Sequence, residues 1–106
     1  MTREERLAII ETVVRRLGLN GTYQGMMGMV HGVDLAYDQP RILSAVTKEL
    51  YPEIARRVGG TGKTVERNLR TAATACWKIG DRDFLDEIAG FPLQEPPTSG
   101  ELIDYL

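Results

Sequence analysis

A single cysteine, Cys76, rules out an intrachain disulfide and any metal site built on thiolates. The single histidine, His31, has no evident partner for catalysis and reads as a packed or half-exposed structural residue. No apolar run reaches the roughly 18 residues a membrane-spanning helix needs. The opening MTREERLAIIETVVRRL mixes charged and apolar residues throughout and lacks the apolar core and small-residue cleavage site of a secretory signal. Together these absences point to a cytoplasmic protein. Strand-like alternation is also missing, as are internal repeats and low-complexity tracts.

What remains is helical. With 106 residues, 42% of them apolar, the chain fits one domain with one core. Leu7, Ile10, Val14 and Leu17 form a first stripe, and Gly18 follows Arg15 and Arg16 as a helix stop. TYQGMMGMVHGVDLAYD carries a second stripe through Met26, Val30, Val33 and Tyr37. Its Gly25, Gly28 and Gly32 each cost about 1 kcal/mol relative to Ala, so close packing has to hold this helix. Met26, Met27 and Met29 read as core filler.

Pro40 opens a helix-spaced RILSAVTKEL, and Pro52 suits the first turn of a short helix, PEIARRV. TVERNLRTAATACWKIG is the longest uninterrupted pattern, with Cys76 on its buried stripe and Trp77 as an anchor toward the C-terminal segment. DRDFLDEIAG follows with Asp81 as N-cap and Gly90 as stop, and FPLQEPP is a loop on its prolines. The acidic residues at 81–87 lack EF-hand spacing, and the dipole at a helix start explains them. Thr98, three residues before Glu101, forms a capping-box signature for a last helix. The expected fold is an all-α bundle.

Charge is unevenly distributed. The net value of −2 conceals +5 over residues 41–80 and −6 over residues 81–106. A basic middle is compatible with a nucleic-acid partner, although the total taken alone argues mildly against one.

Inside the basic region lies GGTGKT, which looks like the end of a phosphate-binding loop. A Walker loop needs a first glycine five residues before Gly62, where Arg57 stands, and it needs a buried strand ahead of it. Neither requirement is met, so an NTPase, and with it an enzyme, is set aside. A helix-turn-helix fits better over residues 51–79. Ile54, Ala55 and Val58 form the inner face of its first helix, and Gly59 or Gly60 supplies the turn. Thr61 caps the second helix, while Val65 and Leu69 seal the corner.

At about 100° per residue, Val65, Leu69, Ala72 and Cys76 define the buried side of that second helix. Lys63, Arg67, Arg70, Thr71, Thr74 and Lys78 fall opposite, and Glu66 sits on the flank. Basic side chains on such a face contact phosphates, and Arg and Asn read base edges.

The run KELYPEIARRVGGTGKTVERNLRTAATACWKIG resembles the C-terminal effector domain of the sporulation-initiation response regulator of endospore-forming bacteria. The marks are LYP-x-IA from Leu50 to Ala55, VER from Val65 to Arg67, Arg70, and W-x-x-G from Trp77 to Gly80. LG at 17–18, SAVTKELYP, and PT-x-x-E from Pro97 to Glu101 extend the resemblance over nearly the whole chain. It implies an all-α bundle of about six helices that carries a helix-turn-helix and binds short promoter boxes, often in tandem.

By the resemblance, Thr64, Glu66 and Arg67 meet bases, with Lys63 and Arg70 beside the backbone. Position 64 departs from the family, in which an arginine reads a guanine. Thr64 cannot make that bidentate contact, so the family's box does not carry over. No receiver domain fits in the residues ahead of the resemblance's core, and the Met-first opening helix favours a stand-alone relative over an excised piece.

The resulting expectation is a sequence-specific transcription regulator with a recognition helix at about 62–79 in the major groove. Lys63, Thr64, Glu66, Arg67 and Asn68 face bases or nearby phosphates, and Arg70, Thr71 and Lys78 follow the backbone. Double-stranded DNA is the partner, with a homodimer on DNA as one arrangement. No cofactor, metal, membrane or small-molecule substrate is called for. The rival, from another class, is a protein-interaction module of the same fold that has lost specific DNA binding. The missing arginine at position 64 and the acidic C-terminal end favour it.

Overall fold

A computed structural model of the chain describes residues 1–18 and 23–106. Its elements in order are α1 (Arg3–Arg16), α2 (Tyr23–Asp38), α3 (Tyr51–Val58), α4 (Gly62–Ile79), α5 (Arg82–Ala89) and α6 (Ser99–Tyr105). No strand occurs among the described residues. The expected six-helix, all-α architecture is therefore present. Thr22, the first residue of the expected second helix, lies outside the described residues.

The helix ends follow local chemistry. Thr2 accepts from the Glu5 amide at 3.1 Å to start α1, and Arg15 and Arg16 occupy its last turn. Asp81 caps α5 through the Phe84 amide at 3.0 Å, and Gly90 ends it in the left-handed region. Thr98 and Glu101 exchange reciprocal bonds as the capping box that starts α6.

One stretch differs from expectation. Pro40 opens a 3₁₀ turn over Pro40–Ser44, and a π turn follows over Val46–Leu50, in place of one α-helix. Ala45 between them leaves helical geometry, with φ of −137° and ψ of 53°, and the Leu50 amide reaches back five residues to the Ala45 carbonyl at 3.2 Å. The wider turn leads directly into Pro52, which has no N–H to give the Lys48 carbonyl and whose ring crowds it.

Helix α2 is the hub, packed against by α1, α3, α4 and α6. Its buried Met26, Met29, Val30 and Val33 meet Ile54, Leu69 and Ile103 in one core. Met27 is only partly buried. The α2 glycines provide the closeness that offsets their low helix propensity. A Cβ on Gly28 would stand 3.2 Å from Leu69 Cδ2 and 3.7 Å from Ile54 Cγ2. One on Gly32 would stand 2.9 Å from Ile103 Cδ1. Small residues thus let α3, α4 and α6 sit against the α2 backbone. Tyr37 departs from its expected place in the stripe. It is exposed in the last turn of α2, with the Arg6 guanidinium 4.5 Å from its ring centroid.

At the hub's other edge lies a charge that the apolar periodicity of α2 hid. Asp34 is fully buried. Arg6 of α1 donates to it at 2.7 Å, and Arg57 of α3 donates at 2.7 Å from the other side. Arg57 also lies 3.3 Å from His31 Nδ1. Burial pushes the Asp34 carboxyl up, but the bonds from Arg57 and Arg6 outweigh it and hold the group below its usual value. Burial first, then the Arg57 charge, pushes His31 down.

Both shifts make acid destabilising. Folded Asp34 resists protonation, so its contribution is full above the usual carboxyl pKa near 4 and falls as pH drops through the folded value. Folded His31 also resists protonation, so stability begins to fall below the unfolded histidine value near 6.5. In urea titrations the midpoint is expected to decline from about pH 6.5 downward, with His31→Gln flattening that first step. A midpoint independent of pH between about 7 and 5 would contradict this. Asp34→Ala is expected to cost about 3 kcal/mol at neutral pH, because it leaves two cations without their shared partner.

Candidate nucleic-acid interface

Helix α3 is short and ends where it must. Gly59 has φ of 94° and Gly60 of 88°, a region that side-chain-bearing residues avoid, so two successive glycines reverse the chain within one turn. The Gly59 amide closes α3 on the Ala55 carbonyl at 2.8 Å.

Thr61 then starts α4 with a reciprocal cap. Its hydroxyl accepts from the Thr64 amide at 3.3 Å, and Thr64 Oγ1 accepts from the Thr61 amide at 2.9 Å. The start of α4 returns onto α3, because a Cβ on Gly62 would lie 3.8 Å from both Pro52 and Tyr51 Cβ. The result is a short helix, a three-residue turn and an 18-residue helix, all docked on α2.

The two sides of α4 separate as the phase analysis expects. Val65, Leu69, Ala72, Ala73 and Cys76 are buried. Burial raises the Cys76 thiol, which keeps it protonated and inert. Lys63, Arg67, Arg70, Thr71, Thr74 and Lys78 are exposed. The first turn holds no acidic residue, so the amide ends at the helix start meet no local negative charge.

Among the described residues Lys63, Arg67 and Lys78 have no ion-pair partner. Arg70 approaches Glu66 only at 3.8 Å, and both side chains are largely solvated, so that pair contributes little and leaves Arg70 available. Lys63, Thr64, Glu66, Arg67 and Arg70 together line one open depression on this face.

Three of the expected site residues, Thr64, Glu66 and Asn68, are partly covered. Asn68 is half-buried on one edge of the helix, and Thr64 is half-buried with its hydroxyl held in the cap. On the opposite edge Glu66, Arg70 and Thr74 border an open cleft of about 320 Å³ walled by Pro96, Pro97 and Ser99. The C-terminal segment thereby reaches the flank of α4. Trp77 is half-buried, and the Arg82 guanidinium stacks 3.3 Å from its ring centroid.

A family model described as sporulation initiation factor Spo0A C terminal matches residues 10–106. The chain belongs to that family. The Spo0A C-terminal family is one of DNA-binding regulatory domains rather than enzymes, and the described residues contain no helix long and apolar enough to cross a membrane.

Two marks that carried the resemblance turn out to touch. A Cβ on Gly18, at the end of α1, would stand 2.9 Å from Gly80 Cα at the end of α4. The LG and W-x-x-G signatures of this Spo0A-type domain thus record a backbone-to-backbone crossing that pins the far end of α4.

What sequence reasoning missed is the Asp34 clamp on α3. The available signal was an acidic residue within an otherwise apolar stretch of α2, but its partners sit 28 and 23 residues away and no local period reveals them. Thr61→Ala is expected to cost about 1 kcal/mol of stability by removing the α4 cap, measurable as a lowered urea midpoint.

Proposed function

We propose that the α3–turn–α4 unit is a helix-turn-helix and that the chain is a sequence-specific DNA-binding transcription regulator, with α4 entering the major groove. The observation that carries this reading is the exposed face of α4. It combines four cations and two threonine hydroxyls, no acidic residue in its first turn, and a rigid apolar back. An α-helix fits the major groove, and such a face offers both phosphate and base-edge contacts. Membership of a DNA-binding family supports it.

In this reading Arg67 stands at the centre of the face and Lys63, Glu66 and Asn68 lie within one turn of it. Arg70, Thr71 and Lys78 follow the backbone along the helix. Two copies on adjacent boxes, as a homodimer on DNA, would extend the contact without altering the unit. The pairing of Asp34 with Arg57 and the close contact of Gly18 with Gly80 hold α3 and α4 before DNA arrives, so little ordering is left to oppose binding.

Fluorescence anisotropy with a duplex selected from random sequences tests the assignment. Binding is expected to weaken steeply with salt, since each neutralised phosphate releases counterions. Arg67→Ala is expected to lower affinity for the selected duplex by at least about tenfold while leaving the thermal midpoint nearly unchanged. Unaltered affinity in that variant would remove Arg67 from the interface.

A further inference from the structure

Resting on that reading, we infer that the edge of α4 marked by Thr64 and Asn68 reads adenine–thymine pairs, with the Thr64 methyl group against a thymine methyl and the Asn68 carboxamide on an adenine. The argument starts from what Thr64 has left to offer. Its hydroxyl carries one proton, and that proton goes to the Thr61 carbonyl at 2.9 Å. The same oxygen accepts from the Thr61 amide at 2.9 Å. The cap therefore uses the only donor on the side chain and one of its two acceptor sites. Thr64 nevertheless lines the open depression shared with Lys63 and Arg67. Apart from one remaining acceptor lone pair, the group it has uncommitted is its methyl, and the major-groove feature that a methyl recognises is the C5-methyl of thymine.

The next residue on that edge is Asn68, one helical turn further along. Its carboxamide makes no hydrogen bond to a described residue, although the residue is half-buried. A carboxamide with a free donor and a free acceptor matches the N6 and N7 positions of adenine. Thr71, exposed a further turn along, adds a third neutral side chain. No charge stands at any of the three positions. The opposite edge differs, since Glu66 and Arg70 are both charged. The two edges of one helix thus present different chemistry to the two strands of a duplex.

The test is selection of duplexes from a random pool by the intact chain, followed by anisotropy titrations on the enriched site. A thymine and a neighbouring adenine are expected to be enriched where Thr64 and Asn68 lie. Replacing that thymine by deoxyuridine, which removes only the methyl, is expected to weaken binding about fourfold. Thr64→Ser keeps the capping hydroxyl and is expected to bind the two duplexes equally. Asn68→Ala is expected to lose on the order of tenfold in preference for adenine while keeping its salt dependence.

Tight, salt-sensitive binding with no adenine–thymine preference, or a Thr64→Ser variant that still distinguishes thymine from deoxyuridine, overturns the base assignment alone. Failure to retain any duplex at low salt overturns the DNA reading beneath it as well.

Discussion

The buried carboxylate of Asp34 is the constraint on which the arrangement of the first three helices depends. An unpaired charge buried there would be costly, so the two arginines that hydrogen-bond it, with Arg3 a longer 3.7 Å away, are needed to compensate it. Arg6 comes from α1 and Arg57 from α3, which makes α2 the point where both register. Apolar packing alone specifies that helices touch. Two directed 2.7 Å bonds to opposite oxygens of one carboxylate specify how they are rotated. His31 shares the site through Arg57, which ties the clamp to the most readily titrated group in the chain.

From that anchor the geometry of α4 follows in steps. Arg57 fixes the last turn of α3, and the positive-φ pair Gly59 and Gly60 turns the chain at once. Thr61 and Thr64 lock the first turn of α4, while Gly18 against Gly80 fixes the other end. Between these points Val65, Leu69, Ala72 and Cys76 bury one side. The other side is left outside the core over eighteen residues, long enough to present several turns to a partner. In the proposed role, stability and display are achieved by separate residues, which is why an exposed arginine can matter for binding and contribute little to folding.

Much of this was legible in the sequence, because the features concerned are local. Capping at Thr61, Asp81 and Thr98, the stops at Gly18 and Gly90, and the buried stripe of α4 are all set by neighbours within four residues. The π turn ahead of Pro52 was not legible, since its apolar spacing imitates an α-helix and only the wider ring of hydrogen bonds distinguishes it. The Asp34 clamp was hidden for the opposite reason, its partners being remote in the chain. Thr64 falls between these cases. Its place among the site residues follows from the family motif, but that its hydroxyl belongs to the cap follows only from the reciprocal bonds with Thr61.

The proposed role of α4 as the DNA-facing element is tested most directly by mapping backbone amide shifts in an NMR titration with a selected duplex. Perturbations concentrated from Thr61 through Lys78, on the exposed residues of α4, are the expected result. Perturbations confined to α5 and α6, with α4 silent, would contradict it.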